Sequence, residues 1–312
     1  MKLAELLEGL PNDRLAAIEV HLGRLQAPDR SMAVQALTVI GAWFAAFFLL
    51  GFLGLAGMVK LSSGGPDLFI GLLLIGGAVF VARAALGLFT DQLALALSVA
   101  GHILVFIAAW SHSLAGPASA ACVLAALLYR VYPGGLHRFL SVATALSLVL
   151  AWVADDARQP GLYLLLAAQI VALARVPSRE RALAYALALS TLTTTVVIDS
   201  TVPVWPATVI FTATLLAETC FTAPEMAPRV RAMLRVAAVL LGLLSTPGII
   251  GALALLVLAH DRDDPALVAI ALAFLAGFIV HFYYSLDLGL GTKSYMLMAS
   301  GVVLLAVRRL AR

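Results

Sequence analysis

Residues 31–59 read SMAVQALTVIGAWFAAFFLLGFLGLAGMV, a run of 29 residues without one formally charged side chain. An α-helix needs about 20 mainly apolar residues to cross the hydrocarbon core of a bilayer. This run is long enough to do so with residues to spare. It therefore predicts a transmembrane helix, and the rest of the chain continues the pattern.

The composition of the whole chain gives the same result. Of 312 residues, 20 are Lys or Arg and 17 are Asp or Glu, so that 12% are charged, while 62% are hydrophobic. A soluble domain has about 25% charged residues. The composition excludes a water-soluble enzyme, a nucleic-acid-binding protein and a disordered scaffold. It predicts an all-α, polytopic helical bundle whose main partner is the lipid bilayer.

Long apolar runs recur along the chain, and we assign twelve of them as transmembrane helices. The weakest is 248–259, because twelve residues at about 1.5 Å each reach only about 18 Å. One kinked helix over 231–259 is the alternative interpretation of this region. The predicted spans are 31–59, 68–88, 92–111, 114–131, 136–154, 160–175, 180–198, 203–221, 231–246, 248–259, 266–284 and 292–309.

The positive charges favour twelve spans over eleven. With twelve spans and a cytosolic amino terminus, 17 of the 20 basic residues lie in cytosolic segments, and only Lys60, Arg158 and Lys293 lie outside. Cytosolic loops of membrane proteins are enriched in Lys and Arg. Merging 231–259 into one helix would place the arginine-rich C-terminus outside. The sequence therefore predicts that both termini are cytoplasmic.

The first 30 residues differ from the rest of the chain. They contain five acidic residues and no apolar core, so we expect no cleaved signal peptide. Apolar residues from Leu15 to Leu25 recur at intervals of three and four, which is typical of an amphipathic helix. We predict a cytosolic helical segment over 1–30, before a transmembrane domain over 31–312. The segment packs on the bundle or the membrane surface, or it binds a partner protein.

Four polar residues within the predicted spans are candidates for an intramembrane polar site, because such groups are costly in hydrocarbon. His102 lies mid-span, where a structural histidine and a proton relay are the alternatives. Glu218 lies near a cytosolic span end, where the alternatives are a transport site and an ion pair. The arginines available for that ion pair are Arg83, Arg229 and Arg231.

Thr194 belongs to the most polar predicted span, which also contains Thr191, Thr193 and Thr195 and ends near Asp199. Threonine hydroxyls in helices often donate hydrogen bonds to carbonyl groups of the preceding turn. The span is therefore either a packed helix or the lining of a wet cavity that ends at Asp199.

The C-terminal end carries a distinctive hairpin signature. Its residues 281–301 read HFYYSLDLGLGTKSYMLMASG. Adjacent tyrosines at a span end are typical of an interfacial aromatic belt. A turn of this length allows an acidic and a basic residue to pair across it, and a serine can cap the final helix. The residues of the signature are His281, Tyr283, Tyr284, Asp287, Lys293 and Ser294.

Residues 282–301, with the early run GAWFAAFFLLGFLG at 41–54, resemble the bacterial domain-of-unknown-function family 4401. The resemblance extends from about Gln35 to Arg309. It implies a bacterial inner-membrane protein and, as a partner, the small membrane protein family named for its GDYxxLxY motif. It implies no catalytic residues.

The function remains open between two classes. A membrane-embedded assembly or scaffold subunit is preferred, because only one histidine lies near mid-membrane. The alternative is a transporter or channel for a small solute or proton. Glycines at Gly51, Gly54, Gly57, Gly76 and Gly77 predict close helix approach, and homo-oligomerisation is a further expectation. No phosphate-binding loop, zinc motif or cysteine pair occurs, so we expect no catalytic residues, no metal site and no cofactor.

Overall fold

The computed structural model describes residues 32–55, 65–84, 87–110, 113–132, 134–155, 159–221 and 228–285, together with scattered residues between 291 and 309. The continuous segments are all-α and contain eleven helices. In chain order these are α1 (Met32–Leu55), α2 (Gly65–Ala84), α3 (Leu88–Ala109), α4 (Ala115–Val131), α5 (Gly135–Asp155), α6 (Gln159–Arg175), α7 (Arg181–Thr201), α8 (Trp205–Phe221), α9 (Pro228–Leu244), α10 (Pro247–Asp261) and α11 (Pro265–Ser285).

These eleven helices lie at the positions of the first eleven predicted spans. Three of them begin at a proline, namely Pro228, Pro247 and Pro265. Proline suits the first helical position, since its missing N–H would have no partner within the helix there. Residues 231–259 form two helices separated at Ser245 and Thr246 rather than one kinked helix. The predicted segment over 1–30 lies outside the described residues.

Helix length and composition support fewer membrane crossings than predicted. Six helices in the described part of the chain are long and apolar enough to span a bilayer: α1, α2, α3, α5, α7 and α11. Of the others, α6 and α8 have 17 residues each, which is about 26 Å of helix. The fold is therefore that of a helical membrane protein, and the count of twelve spans is not confirmed.

Helices α2 and α3 cross at a pair of glycines. A methyl group added at Gly101 would lie 2.7 Å from the carbonyl oxygen of Gly71, and one added at Gly71 would lie 2.9 Å from that of Gly101. Both separations are too short for carbon and oxygen in contact. The two backbones therefore approach as closely as they do only because neither residue has a side chain.

The glycines that the sequence analysis selected do not bring two helices of the chain close together. Gly51, Gly54, Gly76 and Gly77 have no atom of another helix within 4 Å of the position that a Cβ would take. Gly57 lies outside the described residues. The prediction that these glycines bring helices of the chain together is wrong for the four described positions, because they face outward from the bundle.

The second part of the bundle, from α5 to α11, packs around large apolar side chains. Leu192 on α7 is buried with residues of α6, α10 and α11. Phe211 on α8 is buried with residues of α5, α6, α7, α9 and α10. Contacts of α5 with both α4 and α7 connect this part to α1–α4. Helix α5 therefore lies at the junction, and its amino-terminal end carries the polar side chains described next.

Candidate functional site

Helices α3 and α5 enclose a cluster of polar side chains, which we call the histidine cluster: Ser98 and His102 on α3, and His137 and Ser141 on α5. Each pair is separated by four residues, so both members lie on the same face of their helix. All four side chains are buried, with His137 only 3% exposed and His102 9%. Because these side chains are buried among apolar helices, each one that lost its hydrogen bond would carry a free-energy cost.

The hydrogen bonds of His102 define the position of its proton. Its Nδ1 lies 2.7 Å from the carbonyl oxygen of Ser98. Because a carbonyl oxygen only accepts, Nδ1 carries the hydrogen, and the neutral ring has its lone pair on Nε2. This Nε2 is buried and has no hydrogen-bond partner among the described residues. His102 therefore presents a basic nitrogen to the interior of the bundle.

The hydroxyl of Ser98 connects the two histidines. Its Oγ lies 2.6 Å from Nε2 of His137 and 3.5 Å from Nδ1 of His102. On the other side of the His137 ring, Nδ1 lies 3.4 Å from Oγ of Ser141. The centres of the two imidazole rings are 5.8 Å apart. A chain of groups that can donate and accept protons thus runs from α3 to α5.

Tyr132, which follows the end of α4, covers the His137 ring. The two rings stack with centres 3.8 Å apart and planes inclined by 12°. Burial, and secondarily the charge of Asp91, raises the pKa of the Tyr132 hydroxyl to about 12. The tyrosine therefore stays neutral at physiological pH. It fixes the orientation of the imidazole without adding a charge to the cluster.

This arrangement can accept and transfer protons. Sequence analysis selected His102 but missed His137, Ser98 and Ser141. The signal that identifies them is the four-residue spacing of two polar pairs, Ser98 with His102 and His137 with Ser141, within otherwise apolar helices. That spacing defines a polar face on each helix, although it does not show that the two faces meet.

Thr194 belongs to a separate polar contact between α6 and α7. Its hydroxyl donates to Oε1 of Gln169 over 3.1 Å, and the amide of Gln169 donates to Oγ of Ser190 over 2.9 Å. The neighbouring Thr191, Thr193 and Thr195 each donate to the carbonyl four residues earlier. The hydroxyl groups of this helix are thus engaged in helix packing.

Asp199 pairs with a residue of the C-terminal signature. Nε2 of His281 on α11 lies 2.9 Å from Oδ2 of Asp199 at the end of α7. The pair borders an apolar groove of about 400 Å³, which Phe274 and Phe278 also line. The His281 side chain is 58% exposed and that of Asp199 is 17% exposed. The structure therefore joins two candidates that the sequence had placed in separate groups.

Glu218 lines a different cavity, about 30 Å³ in volume, between α6, α7, α8 and α10. Its polar neighbours in the lining are Thr191 and Thr214, and the nearby charges are those of Asp261 and Arg262. Arg83 instead donates to the carbonyl of Val131, over 3.3 Å. The other two suggested partners of Glu218 have side chains outside the described set.

No hydrogen bond joins any two of the four intramembrane candidates, His102, Glu218, Thr194 and Asp199, among the described contacts, and they lie in four different environments.

In the C-terminal signature, the Tyr283 and Tyr284 rings meet edge to face with centres 5.4 Å apart. Ser294 is helical and exposed. Asp287 and Lys293 lie outside the described residues. Within the part of the chain that the structure describes, no group of three or more metal-ligating side chains occurs.

Six long apolar helices and a buried polar cluster define a helical membrane protein. The family model for the domain of unknown function DUF4401 matches residues 31–312, and the chain belongs to this family. No curated protein and no solved structure matches the chain.

Proposed function

We propose that the protein is a multi-pass protein of the bacterial inner membrane that transfers protons through the histidine cluster. The observation that supports this function is the contact of Ser98 Oγ with Nε2 of His137 at 2.6 Å and with Nδ1 of His102 at 3.5 Å. Sequence analysis preferred a scaffold because a single histidine lay near mid-membrane. A second buried histidine beside the first removes that reason.

The transfer begins at the unpartnered nitrogen of His102. When Nε2 accepts a proton, the ring becomes an imidazolium, and its Nδ1 proton is then acidic. That proton passes to Oγ of Ser98 while the Ser98 hydroxyl proton passes to Nε2 of His137. His102 is then neutral with its hydrogen on Nε2, and His137 is charged. Loss of a proton from His137, reorientation of the Ser98 hydroxyl and water-mediated exchange of the ring protons from Nε2 to Nδ1 restore the starting state.

The proposed orientation follows from charge. His137 lies in the first turn of α5, next to Arg138 and close in sequence to Arg130, at the end of the bundle that the positive charges assign to the cytosol. We propose that both termini are cytoplasmic and that about twelve helices cross the membrane. In this topology His137 lies at the cytosolic end of the relay, and His102 lies deeper in the membrane.

Proton flux into vesicles tests this function. The full-length protein is reconstituted into liposomes that contain a pH-sensitive dye, and a potassium gradient with valinomycin drives proton movement. We expect His102→Gln and His137→Gln to reduce the flux to the level of protein-free vesicles, since a positioned proton-transfer group is worth about a hundredfold or more. Ser98→Ala should reduce it as well.

The matched control is His281→Gln, which changes a histidine outside the cluster. It should leave the flux unchanged. Equal flux in the wild type, His102→Gln and His137→Gln would overturn the proposal, and so would a wild type no faster than empty vesicles. Correct folding of each variant is checked by gel filtration and circular dichroism before reconstitution.

A scaffold function is the second candidate, and the outward surface of α1 and α2 favours it. On α1, Phe47 and Phe48 are each 70% exposed, and on α2, Gly76 and Gly77 have no atom within 4 Å of the position that a Cβ would take. Small residues on a membrane-facing helix allow another helix to approach closely. We propose this face for a GDYxxLxY-motif membrane protein or a second copy of the chain.

Association is measured by co-purification of differently tagged proteins from membranes. We expect Gly77→Leu to weaken it and Gly277→Leu, at an equally open glycine on α11, to leave it unchanged. No association of the wild type with either partner, or equal association of both variants, would contradict this candidate.

A further inference from the structure

A polar pocket of about 540 Å³ lies at one end of the bundle, away from the histidine cluster. It is enclosed by the connection between α6 and α7 and by the connection between α10 and α11. Ser178, Arg179 and Arg181 line it from the first connection, and Arg262, Asp263 and Asp264 line it from the second. Three arginines thus line one pocket.

Arg262 forms the fixed part of this pocket. Its Nη2 donates to the carbonyl oxygen of Leu173 over 2.6 Å, in the last turn of α6, where helix carbonyls lack intrahelical partners. The other terminal nitrogen, Nη1, is buried and has no hydrogen-bond partner among the described residues. Burial lowers the pKa of the guanidinium, against the raising effect of neighbouring carboxylates. A donor is therefore left without an acceptor.

The carboxylate of Asp264 is already engaged. It accepts hydrogen bonds from the Tyr185 hydroxyl and from the backbone N–H groups of Ala266 and Leu267 in the first turn of α11. It thus caps α11 and has little capacity left for the arginines. Asp261 and Glu218 also act electrostatically on Arg262, and Asp263 is exposed, so the donors left for an anion are those of Arg179 and Arg181 and Nη1 of Arg262.

Arg179 and Arg181 lie at the rim of the pocket. Both are exposed, and no ion pair or hydrogen bond of either side chain occurs among the described contacts. Arg181 is also the first residue of α7, where the free N–H groups and the helix dipole favour a negative charge. Arg179 and Arg181 can therefore both donate hydrogen bonds to an anion bound at the rim of the pocket.

We propose that this pocket binds a phosphate group, that of an anionic phospholipid headgroup or of a soluble phosphate. Guanidinium groups match phosphate in charge and in the geometry of their donors. The pocket lies at the ends of four helices, which the proposed topology places at the cytosolic interface of the bilayer, and basic pockets at such an interface bind anionic headgroups. The site is independent of proton transfer.

Binding is measured by native mass spectrometry of the full-length protein, stripped of lipid in detergent. The probes are dioleoyl phosphatidylglycerol, dioleoyl phosphatidylcholine and inorganic phosphate. We expect the wild type to retain phosphatidylglycerol in preference to phosphatidylcholine. The double variant Arg179→Gln/Arg181→Gln should bind it about tenfold more weakly or worse, because two charge-assisted contacts are lost.

The matched control is Arg83→Gln/Arg130→Gln, which removes two exposed positive charges from the ends of α2 and α4. It should bind phosphatidylglycerol like the wild type. Competition by inorganic phosphate that depends on Arg179 and Arg181 assigns the site to soluble phosphate, and the absence of such competition assigns it to the lipid. Equal losses in the two double variants, or no preference over phosphatidylcholine, would overturn the proposal.

Discussion

The crossing of α2 and α3 allows a quantitative test of the packing next to the histidine cluster. Gly101→Ala adds one methyl group, which would lie 2.7 Å from the carbonyl oxygen of Gly71 and 2.7 Å from Cγ1 of Ile75. The Ile75 side chain can shift, but the Gly71 backbone cannot move without moving α2. The helices must therefore separate by several tenths of an ångström.

Two opposing effects determine how much Gly101→Ala changes the free energy of unfolding. Inserting a methyl group into a packed interface costs about 1–3 kcal/mol. Replacing glycine by alanine within a helix contributes roughly 0.5–1 kcal/mol in the other direction. We expect Gly101→Ala to lower the free energy of unfolding by about 1–2 kcal/mol, measured by circular dichroism during unfolding in mixed detergent micelles.

Gly77→Ala on α2 is the matched control, because no atom lies within 4 Å of the added methyl group. It should be neutral or should stabilise the protein by up to about 1 kcal/mol. A Gly101→Ala protein as stable as the Gly77→Ala protein would refute the close crossing.

Three further changes test other contacts by the same unfolding measurement. Gln169→Leu should cost about 1–2 kcal/mol, because the buried Thr194 hydroxyl loses its acceptor; an unchanged stability would refute that hydrogen bond. Asp264→Ala should cost about 1–2 kcal/mol through loss of the α11 cap, and Asp264→Asn should recover part of this, which a purely steric effect would not show. Asp199→Asn should change stability by less than about 1 kcal/mol, because His281 is largely exposed, and a larger loss would show a stronger interaction than this pair provides.

The positions of the helices follow from the sequence because both of their determinants are local. A mainly apolar run marks each helix, and a proline marks the start of α9, α10 and α11. The separation of α9 from α10 at Ser245 and Thr246 has the same origin, since Pro247 cannot donate to the preceding turn. These features are visible without knowledge of any tertiary contact.

The histidine cluster and the glycine crossing depend on contacts between distant residues, and local patterns do not contain them. His137 lies near the start of its predicted span, where the sequence does not distinguish an interfacial side chain from a buried one, and packing against α3 and Tyr132 buries it. Gly76 and Gly77 form the more conspicuous small-residue pair, but Gly71 lies on the face of α2 that meets α3. Which helical face turns inward is set by neighbouring helices that a single run of sequence does not identify.

The central claim is that His102 and His137 share protons through Ser98. Solid-state nuclear magnetic resonance of the ¹⁵N-histidine-labelled protein in lipid bilayers tests it most directly, with resonances assigned by their loss in His102→Gln and His137→Gln. We predict an unprotonated Nε2 on His102 at neutral pH, and a shift of both ring signals in Ser98→Ala. Signals of His102 and His137 that are both unchanged in Ser98→Ala would contradict the relay.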